Sequence, residues 1–190
     1  MNPIEIVAAV FGVVSVFLSV RQNIWSWPTA IVNTGLYIIV FYESKLYADT
    51  GLQVVYVVLN AYGWYHWLYG GKNRTELPVS RTSARLWLVL IAIGTAAAAA
   101  VGTLLYRQTD AALPYIDAGT TSTSLVAQWM MTRKLLENWI IWVAVDVIYI
   151  GMYIYKSLYV TAVLYLIFLI LSVMGYFEWR RSYRARIAAA

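Results

Sequence analysis

Residues 53–67 read QVVYVVLNAYGWYHW, a run apolar enough for a membrane helix but interrupted by Gln53, Tyr56, Asn60, Trp64 and Trp67. Those five are spaced 3, 4, 4 and 3, which places them on one face of a helix. A helix that only touches lipid has no use for such a stripe. An amide, a phenol, a second amide and two indoles in one line read as a lining for something flat and polar. A second stretch repeats the pattern, with Asn138, Trp142, Asp146 and Tyr149 spaced 4, 4 and 3. The two stripes are expected to face each other across a path through the membrane.

The surrounding chain supports a membrane setting. It has 190 residues, of which 62% are hydrophobic and 12% charged. A soluble domain has about 45–50% apolar and about 25% charged residues. The excess is too large for one water-soluble core, so the expected class is an all-α polytopic membrane protein. A spanning helix needs about 20 mainly apolar residues. Seven segments qualify: Ile4–Val20, Trp25–Tyr42, Tyr47–Tyr69, Leu86–Tyr106, Tyr115–Thr132, Asn138–Tyr155 and Leu158–Trp179. Pro28 falls in the first turn of the second, where proline is tolerated. Gly70–Ser83 reads as a polar loop, and Arg180–Arg186 as a basic tail. The first run has no basic stretch before it and no clear cleavage site after it, so it reads as a span rather than a signal peptide.

Charge sets the orientation. The side holding the N-terminus has three Lys and Arg residues (Lys45, Arg107, Lys156) and the opposite side has eleven. Basic loops stay in the cytoplasm, so the N-terminus is expected outside and the C-terminus inside. The net charge of +5 is explained by those loops rather than by a nucleic-acid partner.

Sliding the chain along itself until Arg21 meets Arg133 aligns its halves without a gap. In that one register Trp27 meets Trp139, Leu46-Tyr47 meets Leu158-Tyr159, Gly63 meets Gly175 and Trp67 meets Trp179. The expected plan is two parallel three-helix repeats, 1–70 and 111–182. A loop and linker helix (71–110) joins them, and a basic tail (183–190) follows. Parallel repeats about an axis along the membrane normal are a transporter pattern.

Polar residues at membrane depth are functional candidates. Asp146 is the sharpest, since a charge there costs about 2.5–3.5 kcal/mol on insertion scales. The fifth helix offers Asp117, Thr121, Ser124 and Gln128, spaced 4, 3 and 4, and the second offers Asn33, Thr34 and Tyr37. Other polar residues have plainer roles. Trp25, Trp27, Tyr69, Trp139 and Trp179 are expected in the interfacial aromatic belt. Thr120, Ser122 and Thr123 are expected to bond backbone or a neighbouring helix. His66 is expected to be solvated, and Arg133 and Lys134 to set topology. Spacings such as Gly119 to Thr123 are compatible with a homo-oligomer but too common to place an interface.

Catalytic classes find no foothold. Cysteine is absent and His66 is the single histidine, which leaves no His or Cys metal cluster. No Ser-His-Asp or Cys-His set, carboxylate pair on one helix face, phosphate-cradling glycine loop or nucleotide motif is present. No enzyme activity, cofactor or direct use of ATP is expected.

Two patterns resemble the PnuC family of bacterial vitamin transporters. They are Gln53-x-x-Tyr56-x-x-x-Asn60-x-x-Gly63-Trp64-x-x-Trp67 and Met131-Thr132-Arg133-Lys134-x-x-Glu137-Asn138-Trp139-x-x-Trp142. The resemblance covers all seven helices. It implies import of nicotinamide riboside across the bacterial inner membrane by facilitated diffusion, with a cytoplasmic kinase trapping the riboside. It implies a fold similar to SWEET sugar transporters, duplicated in one chain. Substrate would lie between the repeats, with the two motif helices carrying much of the site. The open alternatives are a carrier of thiamine or another vitamin, a proton-coupled mechanism through Asp146, and a membrane protein whose polar stripes only join helices.

Overall fold

A computed structural model describes residues 3–43, 45, 47–108, 113–155 and 157–189. Leu46 and Lys156, used above in the repeat and the charge count, and the junction at 109–112 lie outside the described residues. The described residues form seven α-helices: α1 Pro3–Val20, α2 Ser26–Glu43, α3 Tyr47–Tyr69, α4 Ala84–Gln108, α5 Pro114–Thr132, α6 Asn138–Tyr155 and α7 Tyr159–Ala188. Among the described residues there is no β-strand. The bounds agree closely with the sequence expectation, except at the end of α7. The basic tail is not a separate segment there; it continues the helix to Ala188.

The punctuation is local. Pro114 opens α5, where its missing N–H costs nothing. Ser83 caps α4, its Oγ accepting from the Leu86 amide at 3.3 Å. The tight connections inside each half turn on a residue with positive φ. These are Gln22 (53°) and Lys45 (58°) in the first half and Lys134 (48°) and Ser157 (58°) in the second. The register that sets Arg21 on Arg133 also sets Gln22 on Lys134 and Lys45 on Ser157, so the backbone repeats with the sequence.

Neighbouring helices pack in the order α1, α2, α3, α5, α6, α7, and α7 returns to α1. Six helices thus close a ring, with α4 lying against α5 outside it. The outer surface is apolar: Val10, Val58, Leu88, Ile91, Val147, Val160 and Phe177 are all well exposed. Lipid is the solvent that satisfies such a surface. Four helices (α1, α4, α6 and α7) are long and apolar enough by composition alone to cross a membrane. The remaining three, α2, α3 and α5, carry Asn33, Asn60 and the AGTTSTS run, which lower their hydropathy.

At one end of the ring four indoles form a sealed layer. Trp27 meets Trp67 edge-on at 5.1 Å and 89°, and Trp139 meets Trp179 at 5.4 Å and 89°. Trp67 and Trp179 then meet each other at 5.7 Å. All four are at most 2% exposed. Trp27, Trp139 and Trp179 are therefore not belt residues; burying them against each other is worth more than leaving them at an interface. Trp25 and Tyr69 are exposed, as a belt requires. Gly63 and Gly175 make the layer fit, because a Cβ on either would overlap the Trp27 or Trp139 ring. The layer also locks the halves together. Trp67 Nε1 donates to the Met131 carbonyl at 3.0 Å, and Trp179 Nε1 to the Ser19 carbonyl at 2.9 Å. The repeat exchanges those two bonds, since Trp67 matches Trp179 and Ser19 matches Met131.

Candidate functional site: the polar seam inside the helix ring

Above the indole layer, α3 meets α5. The stripe read from the sequence points at this seam. Gln128 Nε2 donates to Asn60 Oδ1 at 2.8 Å, and Asn60 is 2% exposed. One turn further on, the Tyr56 side chain sits beside Ser124 and within electrostatic range of Tyr149. Ser124 Oγ is buried with no well-formed hydrogen bond. On the neighbouring side of the ring, Asp146 is 2% exposed and accepts from Ser172 Oγ at 3.1 Å. Tyr149, Tyr153 and Tyr165 pack together with ring centroids 4.8–5.9 Å apart, and Phe168 joins Tyr165 at 5.7 Å. Tyr165 also feels the Asp146 carboxyl. The seam, the acid and the tyrosines form one polar and aromatic interior, and none of the side chains named here is Lys or Arg.

The other predicted residues divide. Gln53 and Thr121 are half-buried, without a side-chain hydrogen bond among the described residues. Trp64 keeps 38% of its surface open. Trp142 packs against the cluster that contains the indole layer. Trp67 is spent on structure: its ring is occupied by Trp27, Trp179 and the Lys134 ammonium at 4.4 Å. Asn138 is fully buried and ties Nδ2 to the Leu135 carbonyl at 2.6 Å, while its Oδ1 has no partner. The Trp27 and Trp139 indole N–H groups and Ser26 Oγ are likewise buried without partners. Buried polar atoms left free in this way ask for water or ligand. Thr120 bonds its own helix, donating to the Ile116 and Asp117 carbonyls.

The stretch from Met131 to Glu137, whose Arg133 and Lys134 are expected to set topology, also has a packing role. It is a junction that pins the loop following α3, not a lining. The Ser80 amide donates to the Lys134 carbonyl at 3.0 Å and the Leu136 amide to the Ser80 carbonyl at 2.9 Å. Glu137 Oε1 accepts from Arg81 Nε at 3.0 Å, and Oε2 from the Thr82 amide and hydroxyl at 2.9 Å each. Burial alone pushes the Glu137 carboxyl up. The bonds from Thr82 and Arg81 outweigh it and hold the group below the usual carboxylate range. Lys134 is 5% exposed, and burial lowers its ammonium to about 8 against a partial rescue by Glu76. Arg133 donates to the Tyr62 hydroxyl at 2.9 Å and to His66 Nε2 at 2.8 Å, so His66 is paired rather than simply solvated.

A family model described as nicotinamide mononucleotide transporter matches residues 2–181. The chain belongs to this transporter family. It is a multi-pass membrane transporter and not an enzyme. Among relatives, the nicotinamide riboside transporter PnuC of Escherichia coli is 28% identical over 96% of this chain and 87% of that protein. The riboflavin/roseoflavin transporter RibM of Streptomyces davaonensis is 27% identical over 92% of this chain and 83% of that protein. A crystal structure of the vitamin B3 transporter PnuC superposes with a TM-score of 0.76 at 26% identity. It covers 97% of this chain and 84% of that one.

The interior residues absent from the sequence reading are Tyr153 of α6 and Tyr165, Phe168 and Ser172 of α7. In the register of the repeat, Tyr165, Phe168, Ser172, Tyr176 and Trp179 fall on Gln53, Tyr56, Asn60, Trp64 and Trp67. The repeat, carried through the opening stripe, marks every one of them. Tyr153 follows Tyr149 by one helical turn and so shares its face.

Proposed function

We propose that this chain carries unphosphorylated nicotinamide riboside into the cell by facilitated diffusion, with a cytoplasmic kinase trapping the product. The observation that carries the reading is the chemistry of the interior. The riboside has a cationic pyridinium, a carboxamide and a ribose. Aromatic faces attract a desolvated cation by about 0.5–2 kcal/mol each, and the Tyr149, Tyr153 and Tyr165 rings supply them. The paired amides of Asn60 and Gln128 are donors and acceptors in the sense a carboxamide needs. Asp146, Ser172, Ser124 and Tyr56 suit hydroxyl groups. A phosphate would require Arg or Lys beside these groups, and the cations near this end are engaged elsewhere, Arg133 with Tyr62 and His66 and Lys134 over the Trp67 ring. The reading places the protein in the bacterial inner membrane with its N-terminus outside and C-terminus inside. It divides the chain into repeats at 1–70 and 111–182, α4 serving as the linker that lets both run in one direction.

The test is uptake into proteoliposomes. Labelled nicotinamide riboside is expected to equilibrate without a gradient and to accumulate only when kinase and ATP are enclosed; the mononucleotide is expected to stay outside. Equal uptake of the mononucleotide would sink the substrate assignment. Accumulation driven by a pH gradient without kinase would replace facilitated diffusion by proton coupling through Asp146. A second substrate reading rests on RibM, whose similarity nearly equals that to the riboside carriers. Competition by riboflavin or thiamine stronger than by nicotinamide riboside would favour another vitamin.

A further inference from the structure

At the indole-layer end of the ring, a cavity of about 140 Å³ opens between the loop before α4 and the extension of α7. Arg81, Leu136, Tyr176, Arg180, Tyr183 and Arg184 line it. Three of these six lining residues are arginines. The Glu137 carboxylate, which pairs with Arg81, also accepts from the Thr82 amide and hydroxyl. Arg180 and Arg184 have no ion-pair partner among the described residues. Glu178 falls about 160° from Arg180 around the helix, on the opposite face. Two unneutralised arginines one helical turn apart repel each other, so the arrangement favours a guest that neutralises both. The Arg180 guanidinium lies over the ring of Tyr176, another lining residue, at 6.0 Å.

The matching position in the first half has a different character. There a cavity of about 340 Å³ is lined by Ile24, Leu68, Glu76 and Lys134, among others. In the register of the repeat, Ile24 matches Leu136 and Leu68 matches Arg180. Where the first cavity has Leu68 and the Glu76 acid near Lys134, which the second half contributes, the second cavity has an arginine cluster. Depth gives the cavity a setting. Tyr159 to Trp179 spans about 30 Å at about 1.5 Å per residue, the thickness of the hydrocarbon core. Arg180 and Arg184 therefore lie at the level of lipid headgroups.

We propose that the pocket formed by Arg81, Arg180 and Arg184 binds a phosphate group. Arginine forks match phosphate oxygens two at a time, and tyrosine hydroxyls complete the shell. Two sources carry that chemistry: the phosphodiester of an anionic lipid in the facing leaflet, and a soluble phosphomonoester. The proposal does not depend on which substrate the transporter carries.

The experiment is thermal unfolding of the purified full chain in nanodiscs. One arm compares phosphatidylcholine with phosphatidylcholine containing phosphatidylglycerol. The other adds inorganic phosphate or nicotinamide mononucleotide to phosphatidylcholine discs. At least one arm is expected to raise the midpoint. The rise should shrink by at least half in Arg180→Gln/Arg184→Gln and persist in Lys72→Gln/Arg74→Gln, whose charges sit on the same side outside the pocket. If the double variant does not fold, Arg184→Gln alone is expected to lose part of the rise. A response only to phosphatidylglycerol assigns a lipid headgroup, and a response only to soluble phosphate assigns a free ligand. No rise in either arm, or an equal loss in the Lys72/Arg74 variant, would overturn the proposal.

Discussion

The seam between α3 and α5 and the seam between α7 and α1 occupy equivalent places in the ring and share a backbone frame. In each, an indole N–H bonds a carbonyl across the seam, Trp67 to Met131 and Trp179 to Ser19. Their chemistry is opposed. Where the first seam has Tyr56 beside Ser124, the second has Phe168 over Gly12. Where the first joins Asn60 to Gln128, the second has Ser172 and Val16, and Ser172 turns to Asp146 instead. Each step from the first seam to the second removes polar atoms. On the function proposed above, the comparison separates two jobs: the frame common to both halves builds the ring, and the more polar seam supplies an interior for an asymmetric ligand.

The largest effects should come from the shared frame, in both halves alike. Gly63→Val and Gly175→Val each drive a side chain into an indole ring. Overpacking of this kind costs about 1–3 kcal/mol, and more where nothing can yield. Both variants are expected to lose most of their monodisperse yield on size exclusion. A severe loss for one and none for the other would break the equivalence of the halves.

The next largest effect separates the seams. Asn60→Ala is expected to lower riboside uptake at least tenfold while lowering stability only modestly, since an interhelical hydrogen bond in a membrane averages about 0.6 kcal/mol. If its melting point collapses with uptake, the stripe only joins helices. Tyr56→Phe writes the second seam's residue into the first and should weaken riboside binding a few-fold by calorimetry; Phe168→Tyr should change it less.

The smallest effect concerns the left-handed turn, where Gln22 and Lys134 are counterparts. Burial lowers the Lys134 pKa to about 8 from 10.5. Between those values the unfolded chain binds a proton that the folded chain has released, so the Lys134 contribution to stability rises with pH. A pH series of denaturation midpoints is expected to show this rise in the wild type and not in Lys134→Gln. An identical profile in both would contradict the assignment.

How far the sequence could be read follows the same division. The helices were legible because hydropathy and the 3.6 period act locally, and Asn60, Gln128 and Asp146 because membrane depth makes polarity conspicuous. The roles of the indoles were not. Trp27 and Trp139 carry interfacial chemistry, and only the three-dimensional approach of Gly63 and Gly175 shows that they are buried. The packing role of the stretch from Met131 to Glu137 was hidden for a related reason. Its charges read as topology determinants, but Ser80, Arg81 and Thr82, far away in the chain, claim its carboxylate and backbone. The α7 stripe has no amide and no charge to make it conspicuous, and in the sequence only the internal repeat connects it to the other stripe.

The most direct test is calorimetric titration of nicotinamide riboside into purified wild type, Gln128→Val and Val16→Ala. Gln128→Val gives α5 the residue that α1 has at the equivalent position. The account predicts at least a tenfold loss of affinity for Gln128→Val, with the variant folded, and near wild-type binding for Val16→Ala. Wild-type affinity in folded Gln128→Val would show that substrate does not use the polar seam.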